Sequence, residues 1–388
     1  MKTAFKTLVL LLIAGGTLQT YACKHNKENG TTLIAEAVTP KPDKKTIQVA
    51  LLLDTSNSMD GLINQAKAQL WDIVNELSYA RCEHIAPELE IAIYEYGNDR
   101  LSSEEGYIKQ VIGFTNDLDD ISEKLFSLTT NGGEEFCGQV IQTALKQLSW
   151  GKNKDALRML FIAGNEPFTQ GQVNYADATT NAIEKDVIVN TIFCGNYEQG
   201  IQGKWKDGAI RTKGEYMAID HNRKIVQIIT PYDDEILILN RKLNKTYVPY
   251  GKRGSSKMSM QAEQDANAAS INQEVKLKRA VSKSSRLYKN SSWDLVDAAE
   301  NEDFEVSELK EEELPATLQG KSDAEIKSYI KTKTNERKTV QTRIQELSKK
   351  RTSYIANKSK ETGKSGLENA MIRAIKKQAA LKNYNWKK

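Results

Sequence analysis

Cysteine and histidine are scarce in this chain: four and three among 388 residues. They stand at Cys23, Cys82, Cys137 and Cys194, and at His25, His84 and His221. No Cys-x-x-Cys or His-x-x-x-His spacing exists, so the ligand pattern of a zinc site is missing. There is no G-x-S-x-G elbow either, and the Gly132-Gly133 pair lacks the lysine that a phosphate-binding loop needs. Sequence separation alone does not exclude a nucleophile–histidine–acid triad. The net charge is only +4, and aromatics are not interleaved with a basic patch, which gives no case for nucleic acid. The N-terminal apolar run, Leu8 to Ala14, is too short to cross a bilayer as a helix.

That run follows Lys2 and Lys6 and precedes Thr20-Tyr21-Ala22-Cys23. The pattern reads as a secretory signal over residues 1–22. A small residue directly before Cys23 resembles a bacterial lipoprotein cleavage box, although Thr20 stands where leucine is usual. Lipidation of Cys23 is the expectation, with plain secretion as the alternative. Residues 23–44 are polar, carry Pro40 and Pro42, and read as a flexible tether.

Ile47 to Leu53 is an apolar run that ends on Asp54-Thr55-Ser56-Asn57-Ser58. An almost wholly apolar run suits a central parallel strand. Leu62, Ile63, Ala66, Leu70, Ile73, Val74 and Leu77 then recur at helical spacing. Strand, acidic turn and helix put one carboxylate and two hydroxyls around one point at the end of a sheet, which suits a hard divalent cation. Asp and Ser after a strand are also ordinary turn and cap residues; the flanking strand and helix make the motif specific.

The stretch resembles the metal-ion-dependent adhesion site of von Willebrand factor type A domains. The resemblance implies a Rossmann-like α/β fold over residues 45–230: a central, mostly parallel sheet with helices on both faces. Further strands are expected at Leu89 to Tyr96, Tyr107 to Phe114 (the short antiparallel strand of the family), Leu157 to Ile162, Val187 to Phe193 and Glu215 to Ile219. Two more loops complete the site in the family. The loop Thr130 to Gly138 resembles the first, but Glu135 stands where a Thr is usual, with Glu134 beside it. The second has Ala163 at the position of the usual Asp, with Glu166 beyond the turn. The expected metal ligands are Asp54, Ser56, Ser58 and Glu135 or Glu134, for Mg²⁺ or another divalent cation such as Mn²⁺ or Ca²⁺. Helix-start acids are stabilised without a metal, which is the other reading of Glu134, Glu135 and Asp60. Cys137 and Cys194 both fall at the site edge of such a fold. Either they form a disulfide, or Cys82, Cys137 and Cys194 are three free, partly buried thiols.

After Thr230 the chain becomes mainly helical. Lys224 to Ile229 is expected as a flanking strand, and Thr230-Pro231-Tyr232-Asp233-Asp234 as a capped helix start. Residues 231–320 read as a helical and irregular extension, with weak helical character over Met258 to Ala280 and a short helix at Trp293, Leu295 and Val296. Residues 321–388 read as a C-terminal helical segment. Ser322-Asp323-Ala324-Glu325 is a capping box. Ile326, Ile330, Val340, Ile344, Leu347 and Tyr354 then follow a near-heptad seam, which Lys333, Arg337 and Arg351 interrupt. The segment is thus a poor autonomous coiled coil and reads as a long helix docked on the rest of the protein. The basic excess after Lys321 reads as a solvated face, with anionic lipid or an acidic partner as the alternative.

The loop Ile162 to Pro167 and the lysine-rich tail resemble A-domain lipoproteins of Bacteroidetes-type bacteria. That resemblance implies an envelope-tethered binding module for a protein partner, attached to the membrane by a lipid anchor. It implies neither an enzyme nor a small-molecule substrate. The competing expectations are a metal-free scaffold and, with less support, a metal-dependent hydrolase.

Overall fold

The computed structural model describes residues 45–57, 59–219, 228–362 and 368–386. The expected signal, Cys23 and the tether lie outside them, as do Ser58 and most of the strand expected over Lys224 to Ile229. The first half of the chain runs β1 (Thr46–Asp54), α1 (Asp60–Leu77), β2 (Ala80–Cys82), β3 (Glu88–Tyr96), β4 (Ile108–Thr115), α2 (Leu118–Phe126) and α3 (Cys137–Gln147). It continues with β5 (Leu157–Gly164), α4 (Tyr175–Glu184), β6 (Ile188–Cys194), α5 (Tyr197–Gln202), α6 (Trp205–Arg211) and β7 (Tyr216–Ile219). The second half is α7 (Asp233–Asn244), α8 (Gly254–Ile271), α9 (Gln273–Lys283), α10 (Leu295–Ala298), α11 (Asp323–Thr362), α12 (Glu368–Ala380) and β8 (Tyr384–Trp386).

The main sheet has the order β4-β3-β1-β5-β6-β7. Only β4 is antiparallel to its neighbour. This is the α/β arrangement the strand pattern predicts, with β1 in the middle. Ala50, Leu52, Leu160, Ile162 and Val189 face one side of the sheet, against Val140, Ala144, Ala178 and Trp205 of α3, α4 and α6. Val49, Leu51, Leu53, Met159 and Phe161 face the other, against α1, α2 and the C-terminal helices. Burial of this kind contributes roughly 25 cal/mol per Å² of apolar surface.

The expected boundaries at 230 and 320 fall between elements but do not divide this core. Leu239 and Leu243 of α7, Val275 and Leu277 of α9, Ile344 and Leu347 of α11, and Met371 and Ile375 of α12 share one apolar cluster with the sheet. The weakly helical stretch splits in two, because Asn272 is extended and its side chain accepts from Val275 N at 2.9 Å, capping α9. At the start of α7 the capping runs in reverse. Thr230 N and Oγ1 donate to the Asp233 carboxylate at 3.1 and 2.6 Å. The capping box at α11 forms: Ser322 N donates to Glu325 Oε2 at 2.9 Å and Glu325 N to Ser322 Oγ at 3.4 Å.

Two of the three charges that interrupt the α11 seam are buried docking points. Arg337 lies 2.6 Å from Asp294 and 2.7 Å from Asp297, and its guanidinium stacks 4.2 Å from the Tyr247 ring centre. Arg351 donates to Asp233 at 2.9 Å and also pairs with Glu274. Lys333 stays at the surface beside Glu336. A pair from β8 to β2, unforeseen in the sequence, ties the C-terminal end down. There Tyr384 Oη donates to Thr46 O at 3.2 Å, at the sheet edge opposite the end of β1 that carries Asp54.

Removing Arg337 leaves Asp294, which has no exposed surface, without its counter-charge. Arg337→Ala is expected to cost about 3–5 kcal/mol in urea unfolding. Asp297, beside Asp294, is pushed up to about 6 by burial and by that neighbour's charge. The folded chain therefore holds a proton there that the unfolded chain has released, between about pH 4 and 6. Stability from this group is present below that window and lost as pH rises through it. Asp297→Asn should gain on the wild type as pH is raised across the window, and equal curves would remove Asp297 from the pH dependence.

Candidate functional site

Asp54 ends β1 with no exposed surface. Its Oδ1 accepts from Ser56 N at 2.7 Å, which folds the following turn back over the strand end. Thr55 N donates to Tyr96 O at 2.8 Å and Met59 N to Ser56 O at 3.0 Å, so the turn is fixed to β3 and to the start of α1. The second loop is fixed to the first: Asn131 N donates to Thr55 O at 2.9 Å and Asn98 Nδ2 to Thr129 O at 3.0 Å. Thr130 Oγ1 donates to Asp60 Oδ1 at 2.5 Å. These bonds carry Glu135 in against Asp54. Gly97, at φ +79°, lies between them, and a Cβ there would meet Glu135 Cγ at 2.8 Å and Asp54 Oδ1 at 3.0 Å.

The structure brings together Asp54, Ser56 and Glu135, the latter two each 5% exposed. Asp54 Oδ2, Ser56 Oγ and Glu135 Oε2 are buried and make no hydrogen bond of acceptable geometry. Burial, the Asp54 charge and a shared hydrogen bond push the Glu135 carboxyl up to about 9. Burial raises Asp54 as well, against the Glu135 hydrogen bond and the Ser56 N–H, which lower it. Two buried carboxyl groups and a bare hydroxyl form an oxygen-only donor set, the kind that hard divalent cations take. Among the described residues no cluster of three or more His, Cys, Asp and Glu side chains is arranged to hold a metal. The set here is two carboxylates completed by neutral oxygens.

Glu134 is not part of it: the side chain is exposed and accepts from Gln170 at 2.9 Å. The third loop also differs from expectation. Ala163 pairs in register with Leu53 and faces the apolar side shared with α1. Gly164 is the residue opposite Asp54, and a Cβ there would lie 3.1 Å from Asp54 Oδ2 and 2.5 Å from Tyr96 Oη. The position at the end of β5 that faces Asp54 is therefore glycine, and the Tyr96 hydroxyl, donating to Ala163 O at 3.0 Å, lies against it. Asn165, just beyond, has a buried Oδ1 without a partner. The sequence reading missed it, although an amide directly after the Ala-Gly end of a strand was the available signal.

Of the two alternatives for the cysteines, the structure has the free thiols. Cys82, Cys137 and Cys194 are free and buried. Cys137 packs on the α3 side of the sheet and Cys194 on the α1 side, so the sheet separates the thiols. His84 is exposed at the turn between β2 and β3, at the edge away from Asp54. The other two histidines lie outside the described residues.

Residues 48–200 match the family model of the von Willebrand factor type A domain, and the fold is that of such a domain with a helical C-terminal region. A comparison with curated proteins gives no match. Among solved structures the chain is similar to the conserved hypothetical protein BatB from Bacteroides thetaiotaomicron, at 17% identity over 45% of this chain and 90% of that one (TM-score 0.34). It is similar to an aerotolerance-related membrane protein from Bacteroides fragilis NCTC 9343, at 16% identity over 45% and 93% of the two chains (TM-score 0.31). A third is proximal thread matrix protein 1 from the mussel byssus with a zinc-occupied MIDAS motif, at 10% identity over 46% and 43% (TM-score 0.34).

The register makes a sharp test. Ala163 lines an apolar cavity of about 30 Å³ with Leu53, Leu62, Phe161 and Met371. Ala163→Asp would bury a carboxylate there without a partner. It is expected to cost about 2 kcal/mol or more in thermal or urea unfolding and to leave divalent-ion binding no tighter. Tighter ion binding by this variant would overturn the assignment of the site-facing position to Gly164.

Proposed function

We propose that this chain is a binding module of the bacterial cell envelope. It contacts a protein partner through the sheet edge around Asp54, with a divalent cation held by Asp54, Ser56 and Glu135. Ser58 would complete the set from the same turn, and Mg²⁺, Mn²⁺ and Ca²⁺ all match the oxygen donors. One observation carries the reading: three buried oxygens on two loops, none with a hydrogen-bond partner of good geometry, converge at the end of β1, within the stretch that matches the family model. A buried polar atom left unpaired costs roughly 1–3 kcal/mol. A hard cation would satisfy several such oxygens together and brace the loops. With two carboxylates beside it, the ion's pull on an acidic partner group falls.

Cys23 would be the lipid anchor and residues 24–44 the tether, an assignment that rests on the N-terminal sequence pattern. Among the described residues no helix is long and apolar enough to cross a membrane. The hydrolase reading has little support, since the one described histidine is remote from the oxygens that would hold the ion.

A metal-free scaffold is the second reading, and Gly164 favours it. With no third-loop acid and with Glu135 pushed up to about 9, one proton can settle the carboxyl pair. Calorimetry with Mg²⁺, Mn²⁺ and Ca²⁺ on wild type, Asp54→Ala and Glu135→Ala separates the two. Binding of one ion is expected, lost in Asp54→Ala and weakened about tenfold or more in Glu135→Ala. No binding by the wild type at millimolar ion supports the scaffold, and unchanged affinity in Glu135→Ala removes that residue from the ligands. For the anchor, wild-type chain should incorporate a radioactive fatty acid and Cys23→Ala should not; a wild type that takes up none is not lipidated.

A further inference from the structure

We infer that the partner segment docking on this sheet edge is rich in lysine or arginine. The inference rests on the edge being a binding face, and it does not need the cation. The loops that frame the unpartnered oxygens, with the first residue of α1 and the turn before α6, carry eight carboxylates: Asp54, Asp60, Asp99, Glu104, Glu105, Glu134, Glu135 and Glu166. Arg100 and Lys204 are the basic residues there. The six acids outside the buried Asp54–Glu135 pair, less the two bases, leave four negative charges, whether that pair holds a proton or a divalent ion. The whole chain is +4, so this excess is local to the edge.

The groups belong to one surface. Asp99 N bonds to Gly132 O, and a Cβ on Gly132 would lie 3.3 Å from Asp99 Oδ2. Asp60 is held by Thr130, which precedes that glycine by two residues. Glu166 stands two residues after Gly164, where a Cβ would lie 3.1 Å from Asp54 Oδ2. The Glu166 carbonyl takes the Trp205 indole N–H at 2.8 Å, which brings in the turn that carries Lys204. Asp60, Asp99, Glu104, Glu105 and Glu134 are exposed.

The chemistry at the centre points the same way. Asp54 Oδ2 and Glu135 Oε2, on residues more than nine-tenths buried, have no hydrogen-bond partner of good geometry. An acidic partner would add negative charge to an edge that already carries an excess of it. A lysine brings three donors and an arginine five, each with the positive charge the edge is short of. Complementary charge of this kind also steers encounter.

Fluorescence anisotropy with the full chain and two labelled probes of equal length, one lysine-rich and one glutamate-rich, tests the proposal at physiological salt. Each is measured with Mg²⁺ and with chelator. The lysine-rich probe should bind the wild type. The rim variant Asp99→Asn/Glu134→Gln should weaken it about fivefold or more. The variant Glu308→Gln/Glu312→Gln, exposed and outside these loops, should leave it unchanged. A preference for the glutamate-rich probe, no binding of the lysine-rich one, or equal loss in both variants overturns the proposal. Binding of the glutamate-rich probe only with Mg²⁺ sinks this inference while the cation-dependent reading stands. Lysine-probe binding that is the same with chelator does the reverse.

Discussion

β1 is the middle strand of the sheet, and every residue from Ile47 to Asp54 is buried. A strand covered on both faces tolerates no unpaired polar group along its length. Gln48 is paired at both ends of its amide, with Glu90 and with Gly151 N. The other polar groups are pushed to the strand ends, where Lys45 meets Asp155 and Glu83 and Asp54 meets the site loops. The same constraint explains the length of the chain beyond β7. One face is covered by α3, α4 and α6. The other needs α1 and a second helical layer, which α7, α9, α11 and α12 supply.

Most of the sheet was legible because apolar runs of strand length stood out against helical periodicity. The turn at Asp54 was legible for the same reason. What could not be read was register. In a strand, one residue decides the face, and the sequence Ala163-Gly164-Asn165 offers no mark of which position lies opposite Asp54. Counting back from the next helix did separate Glu135 from Glu134. Their different surroundings follow from the loop's bonds to Thr55 and Asp99, which no local pattern encodes.

The helical half shows the opposite failure. Arg337 and Arg351 were visible as breaks in an apolar seam, and in isolation a buried charge argues against docking. Their partners sit 43 and 118 residues away, at Asp294 and Asp233. Paired in this way the arginines set which turn of α11 meets α10 and which meets α7. Their net contribution to stability is small beside that choice of position, since desolvation offsets much of the attraction. The β2–β8 pair was invisible because three-residue strands carry no periodicity and the partners lie at opposite ends of the folded chain.

The arrangement around Asp54 needs a positive charge or a proton. Two like charges about 4 Å apart repel by about 4 kcal/mol at an effective dielectric constant of 20. A proton shared by Asp54 and Glu135 removes that repulsion but leaves Ser56 Oγ bare. A cation removes it and reaches the hydroxyl as well. The backbone keeps the space clear. Gly97 and Gly164 are the positions where a Cβ would press on Asp54, and at Gly97 the left-handed conformation would strain any other residue. Glycine at both positions leaves the carboxyl pair the space it occupies, under a rim that adds further negative charge. An edge built this way gains more from an incoming cation or basic group than from anything the chain itself provides.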